Sequence, residues 1–84
     1  MTDRRRKLLA KVEQNLRDVS PQQMDVLLRA FGFEFDRQRG SPVVYRDPSG
    51  NRLVFPLRRP HLLAVYVSQA VRLLRERLEL EEDE

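Results

Sequence analysis

Apolar side chains recur with the spacing of an α-helix in three separate stretches of the chain. The first stretch spans residues 4–17, the second begins at Ser20 and ends at Gly32, and the third spans residues 63–80. The second has the clearest boundaries, because serine is a preferred N-cap, proline suits the first helical position and glycine favours a left-handed C-terminal cap. The apolar positions that define the three stripes are Leu8, Leu9, Val12 and Leu16, then Met24, Leu27, Leu28 and Phe31, then Leu63, Val67, Ala70, Val71, Leu74 and Leu78.

Between the second and third helical stretches, short segments of strand composition alternate with turn residues. Residues 33–37 alternate apolar with polar side chains, which predicts a half-buried strand. Residues 43–45 and 53–55 are β-branched, aliphatic or aromatic and predict two more strands, the last one ending at Pro56 or slightly beyond. Gly40-Ser41 and residues 47–51 supply the turns between them. Connections this short predict an antiparallel meander with the second strand at its centre.

The sequence therefore predicts an α+β fold with the element order α-α-β-β-β-α. The last five elements match the arrangement of a double-stranded-RNA-binding domain, in which a three-stranded antiparallel sheet is packed against helices on one face. The first helix, within residues 1–18, is an addition to that plan, and the acidic tail of residues 81–84 should fray. We expect a single domain over residues 1–84, whose core includes Leu27, Phe31, Val71, Leu74 and either Phe33 or Phe35.

Length and composition limit the classes of protein to consider. An 84-residue chain without cysteine has neither a disulfide nor a Cys/His cluster for a structural metal, so packing alone must stabilise it. No metal or cofactor is expected. The basic N-terminus is not followed by an apolar signal core, and no apolar run approaches the roughly 18–20 residues that cross a bilayer. We expect a soluble, cytoplasmic protein that does not bind a membrane.

Charge is distributed unevenly along the chain. Residues 1–75 carry 15 basic and 7 acidic side chains, whereas residues 76–84 carry one basic and six acidic side chains. Fourteen of the 16 basic residues are arginine, whose planar guanidinium suits phosphate binding. A basic body with an acidic tail indicates a polyanionic partner or an acidic protein surface, although solvated charge that maintains solubility is an equal alternative. The tail itself could also compete with RNA for the basic surface.

The turn between the first two predicted strands carries a short motif. Gly40 and Ser41 are followed by Pro42 and, three residues later, by Tyr45. This resembles the HicA (YcfA-like) messenger-RNA interferase toxins, which carry Gly-Ser-His, two residues and an aromatic at this place. Residues 66–69, Tyr-Val-Ser-Gln, are similar to a second family pattern in the last helix. The resemblance covers roughly residues 5–80 and implies the fold already predicted from the pattern.

The resemblance also implies a function in a toxin–antitoxin pair. The family histidine is thought to act as a general acid or base in RNA cleavage, and here Pro42 takes its place. The resemblance therefore implies an RNA-binding protein with impaired cleavage and a HicB-like antitoxin as partner. Tyr45, with an ordinary phenol pKa near 10, is a poor base at neutral pH and should pack on the sheet instead.

Six arginines are the candidate RNA-binding residues, because arginine suits the phosphates and 2′-hydroxyls through which double-stranded RNA is largely recognised. The alternative is a solvated sheet face. A second functional hypothesis is an active endoribonuclease that uses His61, the only histidine, or other groups; the alternative for His61 is a polar residue at a helix entrance. A third is a protein-interaction module, and the oligomeric state is left open. The six arginines are Arg37, Arg39, Arg46, Arg52, Arg58 and Arg59.

Overall fold

The computed structural model describes residues 4–82 and contains three α-helices and one three-stranded antiparallel sheet. The strand order is β1-β2-β3, so β2 is central and the predicted α+β meander is confirmed. Two short segments lie outside the described residues. They are residues 1–3, at the start of the segment predicted to contain the first helix, and residues 83–84 of the acidic tail. The elements are α1 Arg4–Gln14, α2 Pro21–Ala30, β1 Glu34–Gln38, β2 Pro42–Arg46, β3 Arg52–Pro56 and α3 Ala64–Glu82.

Helix α2 has the caps that the sequence predicts. At its start, the Ser20 hydroxyl accepts a hydrogen bond from the Gln23 amide at 3.1 Å. At its end, Gly32 has a φ of +90°, which allows the Phe33 amide to donate to the Leu28 carbonyl at 2.9 Å. This is the hydrogen-bond pattern of a Schellman cap, and the two residues that the bond joins, Leu28 and Phe33, are both fully buried. Both ends of α2 are therefore fixed by local interactions.

Helix α1 is shorter than predicted and ends at Gln14 rather than near residue 17. Asn15 donates from Nδ2 to the Asp18 carboxylate at 2.6 Å, and the Asp18 amide donates to the Asn15 carbonyl at 3.2 Å. Short polar side chains that bond locally in this way compete with helix continuation. Leu16 nevertheless packs against the core from the turn that follows the helix.

Helix α3 continues further than predicted. The helix ends at Glu82 rather than near Leu80, so residues 81 and 82 of the tail are helical. The Glu81 carboxylate accepts two hydrogen bonds from the Arg5 guanidinium, at 2.8 and 2.6 Å. This bidentate contact ties the last turn of α3 to α1.

The prediction of a half-buried first strand is wrong as well. All five residues of β1, an edge strand of the sheet, are exposed. Phe33, immediately before the strand, is fully buried, whereas Phe35 is 46% exposed. The register shifts between Phe35 and Arg37, which marks a β-bulge at Asp36.

The buried side chains form one cluster to which all three helices and the inner face of the sheet contribute. The predicted core positions Leu27, Phe31, Val71 and Leu74 are all buried. Strand β2 alternates, with Val43 and Tyr45 buried and their neighbours more exposed, so one face of the sheet packs against the helices. Within residues 4–82, no helix combines the length and apolar character needed to cross a membrane.

Candidate nucleic-acid interface

The sheet presents one face that no described helix covers. Directly paired residues of antiparallel strands point to the same side, so the register defines this outer face. Val44 pairs with Val54 there, and Val54 is 53% exposed. Arg46 pairs with Arg52, and both are exposed. The outer face comprises Glu34 and Arg37 of β1, Pro42, Val44 and Arg46 of β2, and Arg52, Val54 and Pro56 of β3.

The bulge at Asp36 brings Arg37 to the outer face. Without it, Phe35 and Arg37 would point to the same side, since side chains alternate along a strand. In the structure Phe35 pairs with Tyr45 on the inner face, whereas Arg37 pairs with Val44 on the outer face. Arg37 thereby joins Arg46 and Arg52 on the outer face.

The other three candidate arginines lie at one end of the sheet. Arg39 belongs to the β1–β2 turn, and its amide donates to the Pro42 carbonyl at 3.0 Å. Arg58 and Arg59 follow β3. At this end of the strand, the Leu57 amide donates a hydrogen bond to the carbonyl of Ser41, in the β1–β2 turn, at 2.6 Å. Short turns thus gather Arg39, Arg58 and Arg59 at the end of the sheet where the Gly40-Ser41 motif lies. The six predicted residues therefore form two neighbouring groups rather than a single row.

Most of these arginines have no acidic partner within the part of the chain that the structure describes. Among residues 4–82, Arg39, Arg46, Arg52, Arg58 and Arg59 form no ion pair, and Arg37 approaches Asp36 only to 4.0 Å. Elsewhere among the described residues, arginines pair with carboxylates, as in Arg5 with Glu81, Arg29 with Asp25, Arg75 with Glu13 and Arg77 with Asp47.

The residues of the Gly-Ser motif are divided between the two faces of the sheet. Pro42 is the first residue of β2 and pairs with Pro56 on the outer face, where it is exposed. Tyr45 lies on the inner face, is 7% exposed and stacks on the Phe55 ring at a centroid distance of 5.7 Å. The prediction that Tyr45 packs on the sheet is confirmed. Pro42 is therefore on the same face as Arg46.

Tyr45 also joins a polar cluster that the sequence did not reveal. Its hydroxyl donates to Asp25 Oδ1 at 2.6 Å, and Arg29 Nε donates to Asp25 Oδ2 at 2.9 Å. Burial, together with the bond to the Asp25 carboxylate, raises the pKa of Tyr45 well above its ordinary value. The same carboxylate raises the pKa of Arg29. The sequence predicts that Asp25 and Arg29 can pair, because they are four positions apart on one helix. It gives no local signal that Tyr45, 20 positions after Asp25, contacts that pair.

An open groove of about 500 Å³ adjoins this cluster. Its lining comes from helix α2, from Tyr45 of β2 and from Arg59 in the loop after β3. Its side chains combine a carboxylate, a guanidinium, an amide and apolar surface. They are Pro21, Gln22, Asp25, Val26, Tyr45 and Arg59.

His61 lies beside the α1–α2 loop. Its Nδ1 is 3.9 Å from Asp18 Oδ1, and both side chains are largely exposed. The next amide, that of Leu62, donates to the Val19 carbonyl at 2.8 Å and fixes this segment to the same loop. The fold thus brings an acidic neighbour, Asp18, to His61 from a loop more than 40 positions earlier in the chain. An exposed pair at this distance is a weak interaction and leaves His61 as a polar residue before a helix.

Asp47 is the one buried charged residue among those described. Burial alone would raise the pKa of Asp47, but hydrogen bonds from Asn51 and Arg77 outweigh it and lower the pKa to about 2. The Asn51 amide donates to Asp47 Oδ1 at 2.8 Å, and Arg77 of α3 binds Oδ2. Arg77 also lies over the Phe33 ring, 4.6 Å from its centroid. Asp47 thus joins the β2–β3 turn to α3.

Residues 4–82 contain no group of three His, Cys, Asp or Glu side chains arranged to hold a metal ion. Comparison of the chain with protein-family models, curated proteins and solved structures gives no match. The resemblance to HicA toxins therefore stays a prediction.

Proposed function

We propose that this protein binds RNA through the outer face of its sheet and the adjoining basic loops. The observation that carries the proposal is the direct pairing of Arg46 with Arg52 on that face. Like charges placed opposite each other in a sheet destabilise the pairing, and neither guanidinium has an ion-pair partner within residues 4–82. A polyanion would relieve this repulsion, because each phosphate can accept hydrogen bonds from an arginine.

The remaining features of the surface support RNA as that polyanion. Arg37 lies on the same face, and Arg39, Arg58 and Arg59 lie at the end of the sheet. The phosphates of an RNA backbone are spaced along the strand, so they can contact the arginines of the outer face and those at the end of the sheet at the same time. Double-stranded RNA is recognised mainly by shape, phosphates and 2′-hydroxyls, which suits a surface rich in arginine. The element order α-β-β-β-α and the three-stranded antiparallel sheet support our proposal of a double-stranded-RNA-binding arrangement.

We further propose that RNA cleavage is impaired. At the position of the family histidine, Pro42 offers no group that titrates, and general acid–base catalysis of RNA cleavage needs one. Tyr45 is buried on the opposite face with its hydroxyl bonded to Asp25, so it does not replace that histidine. The chain is then a HicA-like member of a toxin–antitoxin pair, and a HicB-like antitoxin would cover the outer face.

A protein-interaction module is the second candidate function. Val44 and Val54 lie side by side on the outer face, and Val54 is 53% exposed. Exposed apolar side chains within a basic surface suit an acidic protein with an apolar contact of its own. A HicB-like antitoxin would contact the same residues, so antitoxin binding does not distinguish the two candidate functions. The absence of RNA binding would favour the protein-interaction module.

The test compares two double variants that remove the same charge. Arg46→Ala/Arg52→Ala removes the paired arginines of the outer face. Arg17→Ala/Arg72→Ala removes two exposed arginines outside the sheet that also lack an ion pair within the described residues. Each variant and the parent are titrated against one labelled RNA hairpin by fluorescence anisotropy.

We expect the outer-face variant to bind about 10-fold or more weakly, because hydrogen bonds between charged groups contribute about 1.5–3 kcal/mol. Its thermal stability should be unchanged or higher, since the like-charge pair is gone. The control should bind within about threefold of the parent, since charge away from the interface acts only at long range. Equal losses of RNA affinity in the two variants would mean that only the net charge of the protein attracts RNA, and this would contradict a defined interface.

A further inference from the structure

Apart from Arg59, the side chains of the groove beside α2 take no part in the proposed contacts to phosphates, and they are suited to a specific ligand. Its volume of about 500 Å³ lies within the range of roughly 300–1,000 Å³ that is typical of small-molecule sites. Asp25 is one-third exposed there and Arg59 is exposed. The groove therefore combines an open acceptor with a cation that forms no ion pair to any described residue.

The Asp25 carboxylate is held in place but not saturated. Tyr45 donates to one oxygen and Arg29 to the other, which fixes the orientation of the group. A carboxylate has about four lone-pair sites, so each oxygen keeps one for a ligand. Two parallel acceptors that are fixed in this way fit a ligand with two adjacent N–H donors.

We propose that this groove binds an unpaired guanine base of the RNA, with the Asp25 carboxylate accepting from its N1–H and 2-amino groups. The inference rests on the proposed function and adds a base preference to it. Guanine alone among the four bases has two adjacent donors on its Watson–Crick edge. Adenine and cytosine each place a ring nitrogen acceptor beside their amino group, and uracil places carbonyl oxygens on both sides of its N3–H. A carboxylate repels each of those acceptors.

The other side chains of the groove complete the site. Pro21 and Val26 offer apolar surface to the faces of a base, and single-stranded RNA is commonly recognised by contacts of this kind together with bonds to the base edge. The guanidinium of Arg59 is available to the phosphate of the same nucleotide. A cationic peptide, the other ligand that a carboxylate would attract, is disfavoured by Arg59.

The test uses one RNA hairpin with a fixed stem and a uridine loop in which a single position is guanine, adenine, cytosine or inosine. The parent should bind the guanine loop about 10-fold more tightly than the adenine loop, as a bidentate contact to a base typically provides. Inosine, which keeps N1–H but lacks the 2-amino group, should fall between them. Equal affinity for all four loops, with binding retained, overturns the guanine site and leaves the proposed RNA binding intact. Absence of binding to every hairpin overturns both.

Two variants test whether Asp25 is responsible for the preference for guanine. Asp25→Asn should bind the four loops equally, because the amide places an N–H₂ group against the donors of guanine. Its side-chain oxygen can still accept from Tyr45, so the fold should persist, which circular dichroism checks. Asp36→Asn is the matched control, since it neutralises an exposed carboxylate at the bulge. The control should keep the full preference, and loss of preference in both variants would contradict the assignment to Asp25.

Discussion

Replacing Pro42 with histidine should raise the rate of RNA cleavage by about 10²- to 10⁴-fold over the parent, the usual contribution of a general acid or base. The parent should leave RNA uncut, because no titratable group stands at this position. Pro42 is exposed on the outer face, so an imidazole there would lie on the surface that we propose binds RNA. Pro42 pairs with Pro56 of β3 in the register, and because proline has no backbone N–H, the change to histidine adds a donor to β2 and removes none. Cleavage of one labelled RNA over time measures the effect.

His61→Ala is the matched control for this experiment. We expect it to behave as the parent, because His61 lies beside the α1–α2 loop and contacts Asp18. Cleavage by the parent that disappears in His61→Ala would contradict the account and assign catalysis to His61. A Pro42→His variant that folds and binds RNA without cleaving it would contradict the role that the resemblance implies for this position.

Replacing Asp47 with alanine should lower the free energy of unfolding by about 3 kcal/mol, the lower end for breaking a buried charged contact. The change removes two bonds to Asn51 within the turn and the contact to Arg77, which is itself only 24% exposed. Denaturant unfolding measures the difference. Asp36→Ala removes the same charge from an exposed site and should change the free energy by less than about 0.5 kcal/mol.

The contribution of Asp47 should also depend on pH in a defined direction. Its pKa is lowered from 3.8 to about 2 in the folded protein, so the ionised carboxylate stabilises the fold fully above pH 3.8. This stabilisation, about 2 kcal/mol for a shift of this size, is lost as the pH falls through about 2. The gap in stability between the parent and Asp47→Ala should therefore narrow between pH 4 and pH 2. A gap that stays constant over this range would contradict the assigned ionisation.

Where the chain uses local signals, the sequence predicts the fold well. The caps at Ser20 and Gly32 involve residues within a few positions of each other, and the structure contains both. The strand positions follow from turns that are equally local, at residues 39–41 and 47–51. The bounds of α1 and the exposure of β1 were predicted less well. The end of α1 depends on side-chain hydrogen bonds of Asn15 that compete with the helix. The exposure of β1 depends on its position in the sheet, which only the tertiary structure defines.

The candidate site was predicted only in part, because faces and distant contacts are not local. Simple alternation assigns Phe35 and Arg37 to the same face, and the bulge at Asp36 separates them. The bond between Tyr45 and Asp25 spans 20 positions and that between Asp47 and Arg77 spans 30. No periodicity reports such contacts. The six arginines were predicted as a set, but their division into an outer-face group and a group at the end of the sheet required the register of the strands.

The measurement that tests the central claim most directly is the dependence of RNA affinity on salt. If about five arginines contact phosphates, log affinity should fall with log salt concentration at a slope of roughly −3 to −5. Arg46→Ala/Arg52→Ala should reduce the magnitude of that slope by about 2, one for each lost phosphate contact, and Arg17→Ala/Arg72→Ala should leave it unchanged. A slope near zero for the parent, or the same slope for the parent and the outer-face variant, would contradict RNA binding through the paired arginines of the sheet.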